Sequence, residues 1–227
     1  MKKTIYKIAI ATATILLASG CVSKNTVPMK PAVVQDIKEK SFTYVKREYP
    51  IKPMVMTPGM AMTMGLGGAI GGALGGAFMA SEAYSEDKVY ASTPSHYINT
   101  KLSEVLKKKH NMNLVEVNSI SDNSSIDDLV EEYAGVDYLV DNRDMMWQVI
   151  YYPFHFFSYK VRYESKFRFI DVKNRVVVAE GYCEYDPDYS DNSPSYDDLF
   201  DNNAEGLKNI TRQALDGCVD KYLKEVI

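Results

Sequence analysis

The histidines and cysteines of this 227-residue chain are the side chains best suited to metal or nucleophilic chemistry, and their spacing assembles neither. His96, His110 and His155 fall in separate stretches, each without a neighbour at metal-ligand or triad spacing. Cys183 and Cys218 lie far apart, no CxxC occurs, and no histidine accompanies either, so a redox or metal role has no support. The run Asp186 to Asp201 alternates Asp186, Asp188, Ser190 and Asn192 as calcium-binding loops do. It lacks both the glycine of the sharp turn and the closing glutamate, so a solvated acidic loop is the expectation. Neither G-x-S-x-G nor a phosphate-binding loop is present. The sequence therefore predicts no catalytic residue, no metal and no cofactor.

The elements that hold these residues can be read from periodicity. Phe42 to Arg47 alternates as a first strand that ends before Pro50 and Pro53. Thr93-Pro94 starts a helix in which Tyr97, Ile98, Leu102, Val105 and Leu106 form an apolar stripe, with Lys107, Lys108 and Lys109 suited to its negative end. A short strand at Asn113 to Val117 precedes a short helix from Ser124 to Tyr133, stopped by Gly135. Two further strands follow, Val136 to Val140 and Met145 to Tyr152. Tyr159 to Ile170 then places Tyr159, Val161, Tyr163, Ser165, Phe167 and Phe169 on one face and Lys160, Arg162, Glu164, Lys166 and Arg168 on the other. A turn at Asp171 to Asn174 returns it into Val176 to Cys183, predicting a hairpin. A last helix, Ala204 to Val226, buries Leu207, Ile210, Ala214, Cys218 and Tyr222. The fold class is α+β, a largely antiparallel or mixed sheet with helices packed on one face.

Two surface features have competing readings. The aromatic run Tyr151 to Tyr159 either caps the sheet as local core or meets a headgroup layer or another protein. Lys160, Arg162, Lys166 and Arg168 either face an anionic envelope polymer or pair across strands with Glu180 and Glu184.

Met54 to Ala80 carries no charge and contains the repeat LGGA-IGGA-LGGA. As a helix over 58–82 it would be roughly 37 Å long, sufficient for a hydrocarbon core of about 30 Å. Its four-residue period sets Gly67, Gly71 and Gly75 beside Gly68, Gly72 and Gly76 in a flat groove. Each glycine costs a helix roughly 1 kcal/mol relative to alanine, so the segment needs a closely packed partner, either the protein's own body or a second copy. It lacks the strand entry of a dinucleotide loop. The repeat resembles the glycine-zipper segments of bacterial outer-membrane lipoproteins.

The chain begins with Lys2, Lys3 and Lys7, continues through an apolar run from Ile8 to Leu17, and reaches Leu17-Ala18-Ser19-Gly20-Cys21. The first part is a secretory signal. The last five residues resemble the lipobox of bacterial prolipoproteins, with Ala18 where a leucine is usual. The resemblance implies cleavage after Gly20, diacylglycerol on the Cys21 thiol and acylation of the new amine. Three chains at about 0.8 kcal/mol per buried methylene hold a protein stably without any spanning helix. Val22 stands where an aspartate would resemble an inner-membrane retention signal, so the resemblance favours the periplasmic face of the outer membrane. In that compartment Cys183 and Cys218 are expected to be joined, the alternative being two buried thiols.

The expected organisation is a signal peptide over 1–20, a lipidated flexible tether over 21–40 and a single periplasmic domain over 41–227. Removing the three lysines of the signal takes the formal charge from −4 to −7, so the mature chain is a poor general binder of nucleic acid. Beyond residue 83 the chain resembles lipoprotein domains of unassigned function. The expected function is a non-enzymatic envelope lipoprotein with a structural or partner-binding role. Its expected partners are the membrane through the anchor, an envelope protein, or a second copy through the glycine groove. The alternative is an oligomeric pore or secretion accessory that inserts residues 59–81.

Overall fold

The computed structural model describes residues 24–47, 51–56, 93–152, 158–188 and 192–227. The signal peptide, Cys21, the glycine segment with its six paired glycines, and His155 lie outside the described residues.

The elements in chain order are α1 (Pro31–Asp36), β1 (Ser41–Tyr44), β2 (Met54–Met56), α2 (Pro94–His110), β3 (Asn113–Leu114), α3 (Ile126–Glu132), β4 (Tyr138–Tyr151), β5 (Tyr159–Asp171), β6 (Val176–Tyr185) and α4 (Tyr196–Glu225). The six strands make a mixed sheet ordered β3-β1-β4-β5-β6, with β2 also on β4. β4, β5 and β6 are antiparallel. β1 and β2 both run parallel to β4 along one edge, β1 beside Tyr138 to Val140 and β2 beside Gln148 to Ile150. The class is thus α+β with a mixed sheet.

β4 is longer than local pattern suggests. Asp141-Asn142-Arg143-Asp144 reads as a break between two strands, yet it pairs continuously with β5, with only a bulge between Asp144 and Met146. Asp141 and Asp144 stay in the strand because tertiary partners, described below, satisfy them, whereas the buried Asn142 carboxamide has no hydrogen-bond partner among the described residues.

α2 and α4 pack on one face of the sheet. Ile98, Leu102 and Leu106 of α2 join Leu207, Ala214, Leu215, Cys218 and Tyr222 of α4 over Val140, Val149, Val161, Tyr163, Phe167 and Phe169. Among the described residues, the opposite face is closed near α3, where Leu129, Val130 and Tyr133 meet Val45, Leu139, Ile170 and Val172. Thr93 caps α2 by accepting from the His96 amide at 3.1 Å, and Asn111 ends it in the left-handed region at φ 53°. α4 starts earlier than its apolar stripe, at a capping box between Ser195 and Asp198. It breaks at Asp201 to Ala204, where Asn202, Asn203 and Ala204 all take positive φ. A β-carbon at Gly181 would lie 2.8 Å from both the Tyr222 ring and Val226, so this glycine lets α4 rest directly on β6.

The expectation of a flexible tether over 21–40 is corrected for its described part. Val27 exchanges backbone hydrogen bonds with Glu180 at 2.7 and 2.9 Å, and the Met29 amide donates to the Val226 carbonyl at 2.8 Å. Pro31 starts α1, and Ile37 is fully buried. Met29 and Ile37, with Val33 and Val34 packed beside them, give this stretch enough to bury that it adds to the edge of the fold.

Candidate functional site

The two cysteines predicted to pair are bonded, Cys183 on β6 to Cys218 on α4, with Cα atoms 5.4 Å apart. The bridge ties the helix layer to the outermost antiparallel strand.

The basic face of β5 is neutralised by its own Glu164 and by carboxylates on and just after β6. Lys160 meets Asp186 at 2.6 Å, Arg162 meets Glu164 and Glu184 at 2.6 and 2.9 Å, and Lys166 meets Glu180 at 3.1 Å. Glu164 also accepts from the Tyr182 hydroxyl. These cross-strand pairs satisfy the lysines and arginines without an anionic ligand. Hydrogen bonds from Lys24 and Arg162 hold the Glu184 carboxyl below its ordinary range.

Arg168 departs from this pattern. It joins Arg47 around Asp141, a carboxylate with no exposed surface. Arg168 donates to Asp141 through Nε at 2.8 Å, and Arg47 donates to its other oxygen. Arg47 also donates to the carbonyls of Ser121 and Asn123 at 3.0 and 2.7 Å, and Arg168 to that of Ser124 at 3.0 Å. One buried carboxylate thus holds the chain after β1, the loop before α3 and two central strands. Arg143 beside them is pushed down by burial and by repulsion from Arg47.

On the helix-covered side, the half-buried Asp144 accepts from the Tyr163 hydroxyl at 2.5 Å and from the Ser95 amide at 3.2 Å. The amide contact puts the carboxylate at the positive end of α2. Desolvation nevertheless pushes the Asp144 carboxyl up, against the downward pull of those hydrogen bonds. Its folded form therefore keeps a proton that the unfolded chain has lost, and stability falls as pH rises from the ordinary aspartate range through the raised value. Asp144→Asn is expected to lose about 1 kcal/mol overall, because one carboxamide oxygen cannot serve both donors. It is also expected to unfold with a smaller loss of stability between about pH 4 and pH 7 than the parent, as read from urea midpoints at each pH.

None of this resembles a reaction centre. Asp141 is held by guanidiniums, Asp144 by a phenol and an amide, and no nucleophile stands beside a base at either. His96 packs edge-on to Tyr44, with ring centroids 5.8 Å apart. His110 is buried at the end of α2 and pushed down by desolvation and by Lys109 and Lys38. Among the described residues no group of three or more His, Cys, Asp or Glu is placed to hold a metal ion. In the acidic loop, Asp186 is bound by Lys160 and Arg162, while Asp198 accepts from the Ser195 amide and hydroxyl. A shallow depression of about 460 Å³ opens between Ser41, Val130, Asp137, Lys173 and Arg175. Its carboxylate, Asp137, is already taken by the Ser41 hydroxyl and amide at 2.7 and 2.8 Å.

The end of the sheet where β4 turns into β5 has a different character. The Tyr152 amide donates to the Ser158 carbonyl at 3.0 Å, closing the hairpin, and the Tyr159 amide donates to Pro194 at 2.8 Å. Tyr151, Tyr159, Tyr196 and Phe200 then form a chain of rings with successive centroids 5.5, 5.8 and 4.5 Å apart. Tyr159 is buried, whereas Tyr196 is 39% exposed. Within the run Tyr159 is buried and Tyr151 and Tyr152 are half-buried, while 153–157 lie outside the described residues; Tyr196 and Phe200 join these rings from α4, a distance in sequence that local reading did not bridge.

Among the described residues no helix is long and apolar enough to cross a membrane. No protein-family model and no curated protein sequence matches the chain. Among solved structures it is similar to the PelC dodecamer from Paraburkholderia phytofirmans, at 9% identity and a TM-score of 0.38 over 89% of this chain and 96% of that one. It is similar also to the hypothetical protein CT253 from Chlamydia trachomatis, at 10% identity and a TM-score of 0.33 over 82% and 98%. A third likeness is to lipoprotein GNA1162 from Neisseria meningitidis, at 13% identity and a TM-score of 0.28 over 80% and 99%.

Proposed function

We propose that the chain is a lipid-anchored lipoprotein on the periplasmic face of the outer membrane, acting without catalysis as a structural or partner-binding module. The observation that carries the reading is the sequence Leu17-Ala18-Ser19-Gly20-Cys21 after a basic start and an apolar run. The Cys183–Cys218 bridge agrees with an oxidising compartment. The carboxylates and cations of the β5–β6 face satisfy one another, which suits a rigid body that presents surfaces better than one that performs chemistry. An envelope protein or a second copy, docked through the groove of Gly67, Gly68, Gly71, Gly72, Gly75 and Gly76, is the partner this reading calls for.

The glycine repeat favours a second reading, in which residues 59–81 insert into the membrane as part of an oligomeric pore or secretion accessory. One experiment separates the two. Labelled fatty acid is expected to enter the native protein and not Cys21→Ser, and the variant, exported behind an ordinary cleavable signal in place of residues 1–20 so that no signal segment remains to hold it, is expected to leave the membrane in an alkaline wash. A variant that stays in the washed membrane would favour insertion of 59–81. Incorporation that survives Cys21→Ser would sink the anchoring reading.

A further inference from the structure

On the face of the sheet away from α2 and α4, Arg143 stands apart from the ion pairs around it. Alternation along β4 sets Leu139, Asp141 and Arg143 on that face, where Leu139 joins the α3 core. Register then places Arg143 directly opposite Lys166 of β5, as the same-face pair that follows Asp141 and Arg168. Like charges facing each other across an antiparallel pair repel.

The described carboxylates on these strands are committed elsewhere. Asp141 holds Arg47 and Arg168, Glu180 holds Lys166 at 3.1 Å, and Glu164 pairs with Arg162 and accepts from Tyr182. Asp141 and Asp122 attract Arg143 only from beyond ion-pair distance. Among the described residues the Arg143 guanidinium makes no hydrogen bond and no ion pair, although the side chain is half-buried. Its neighbours are better served. Arg47 and Arg168 reach the carbonyls of Ser121, Asn123 and Ser124, whereas Arg143 has five N–H donors and no such acceptor. Burial disfavours its charge, and so do Arg47 and Arg168. Water can satisfy the donors of a half-desolvated guanidinium, but only a negative charge cancels the repulsion from the cations beside it.

We propose that Arg143, with Lys166 and Arg168 beside it, binds a dissolved oxyanion of the phosphate or carboxylate class. The guanidinium fork takes two oxygens of such a group side by side, which a chloride ion cannot offer. Arg168 has Nη1 left over for the same ligand, since its bonds to Asp141 and Ser124 use Nε and Nη2. The site does not depend on the lipid anchor.

The test follows the Nε–Hε signal of Arg143 in proton–nitrogen spectra of the full chain, identified by its absence from Arg143→Gln. Sodium phosphate and sodium acetate are titrated against sodium chloride of equal ionic strength, so that screening is the same in each series. The signal is expected to move and saturate in the millimolar range with an oxyanion, and to drift without saturation in chloride. Saturation by phosphate alone, or by acetate alone, sustains the site and fixes its class. Arg143→Lys keeps the charge and loses the fork, so the oxyanion is expected to bind several-fold more weakly, as read from the amides of Lys166 and Arg168. Urea unfolding gives a second reading. Without oxyanion at low salt, Arg143→Gln is expected to unfold at a midpoint no lower than the parent's, because a repelling charge is gone. Phosphate or acetate is then expected to raise the midpoint of the parent and not of Arg143→Gln. The same drift in all three salts, or an equal rise in parent and Arg143→Gln, overturns the site. A lower midpoint for Arg143→Gln without oxyanion also overturns it, by showing that the side chain is bonded within the fold.

Discussion

Replacing Asp141 with alanine is expected to cost about 3–5 kcal/mol of unfolding free energy, the largest loss expected from any single side chain described above. The carboxylate has no exposed surface, and Arg47 and Arg168 are only 9% and 12% exposed. Removing it leaves two guanidiniums facing one another, with Arg143 nearby, in a place water reaches poorly. The carbonyls of Ser121, Asn123 and Ser124 would still accept from the arginines, but the charge would stay unbalanced. Urea unfolding would show a lower midpoint with unchanged slope, because the native state suffers and the unfolded chain does not. Replacing Arg47, Asp141 and Arg168 together by Met, Leu and Met is expected to restore much of the loss, because the cost belongs to a charge left alone and not to the absence of a pair. A drop below about 1 kcal/mol for Asp141→Ala would show that water reaches the cluster.

The double substitution Cys183→Ser, Cys218→Ser is expected to cost nearly as much, about 4 kcal/mol, by a different route. The bridge spans 35 residues, and a closed loop of that size restricts the unfolded chain by about this amount in the chain-entropy account. The loss should appear in urea unfolding together with a steeper slope, since the uncrosslinked chain exposes more surface. Secondary structure in the native baseline is expected to remain, because α4 is also held by Gly181 against Tyr222 and by the Tyr222 hydroxyl, which donates to the Ser165 carbonyl at 2.9 Å. An unchanged midpoint would mean that the bridge constrains little.

The two variants also bear on function. Asp141 joins the strand layer to the loop before α3, and the bridge joins it to α4, the helix that brings Tyr196 to the hairpin end. Destabilising the first loosens the far side of the sheet.

Local sequence determined the elements that carry their own signals. The Thr93-Pro94 start and the Ile98, Leu102 and Leu106 stripe made α2 legible, and strict alternation from Tyr159 to Phe169 made β5 legible together with its buried face. The hairpin to β6 could be read from the residues around Asp171 to Asn174. The proposed signal segment and lipobox rest on sequence alone, on the basic start, the apolar run and Leu17 to Cys21. Tertiary structure alone decided the rest, and the reason is the distance between partners. Asp141 is polar in a run that looks like a turn, and only Arg47, 94 residues earlier, and Arg168, 27 later, keep it inside one long strand. The parallel pairing of β1 and β2 with β4 is invisible to a local window, because strand partners are chosen by the packing of the helices between them. Residues 24–37 read as a tether because they are polar and broken by proline, yet Glu180 and Val226 offer them open backbone groups at the edge of the fold. What surrounds a side chain, and not its type, decided whether charge and proline marked a loop or a packed edge.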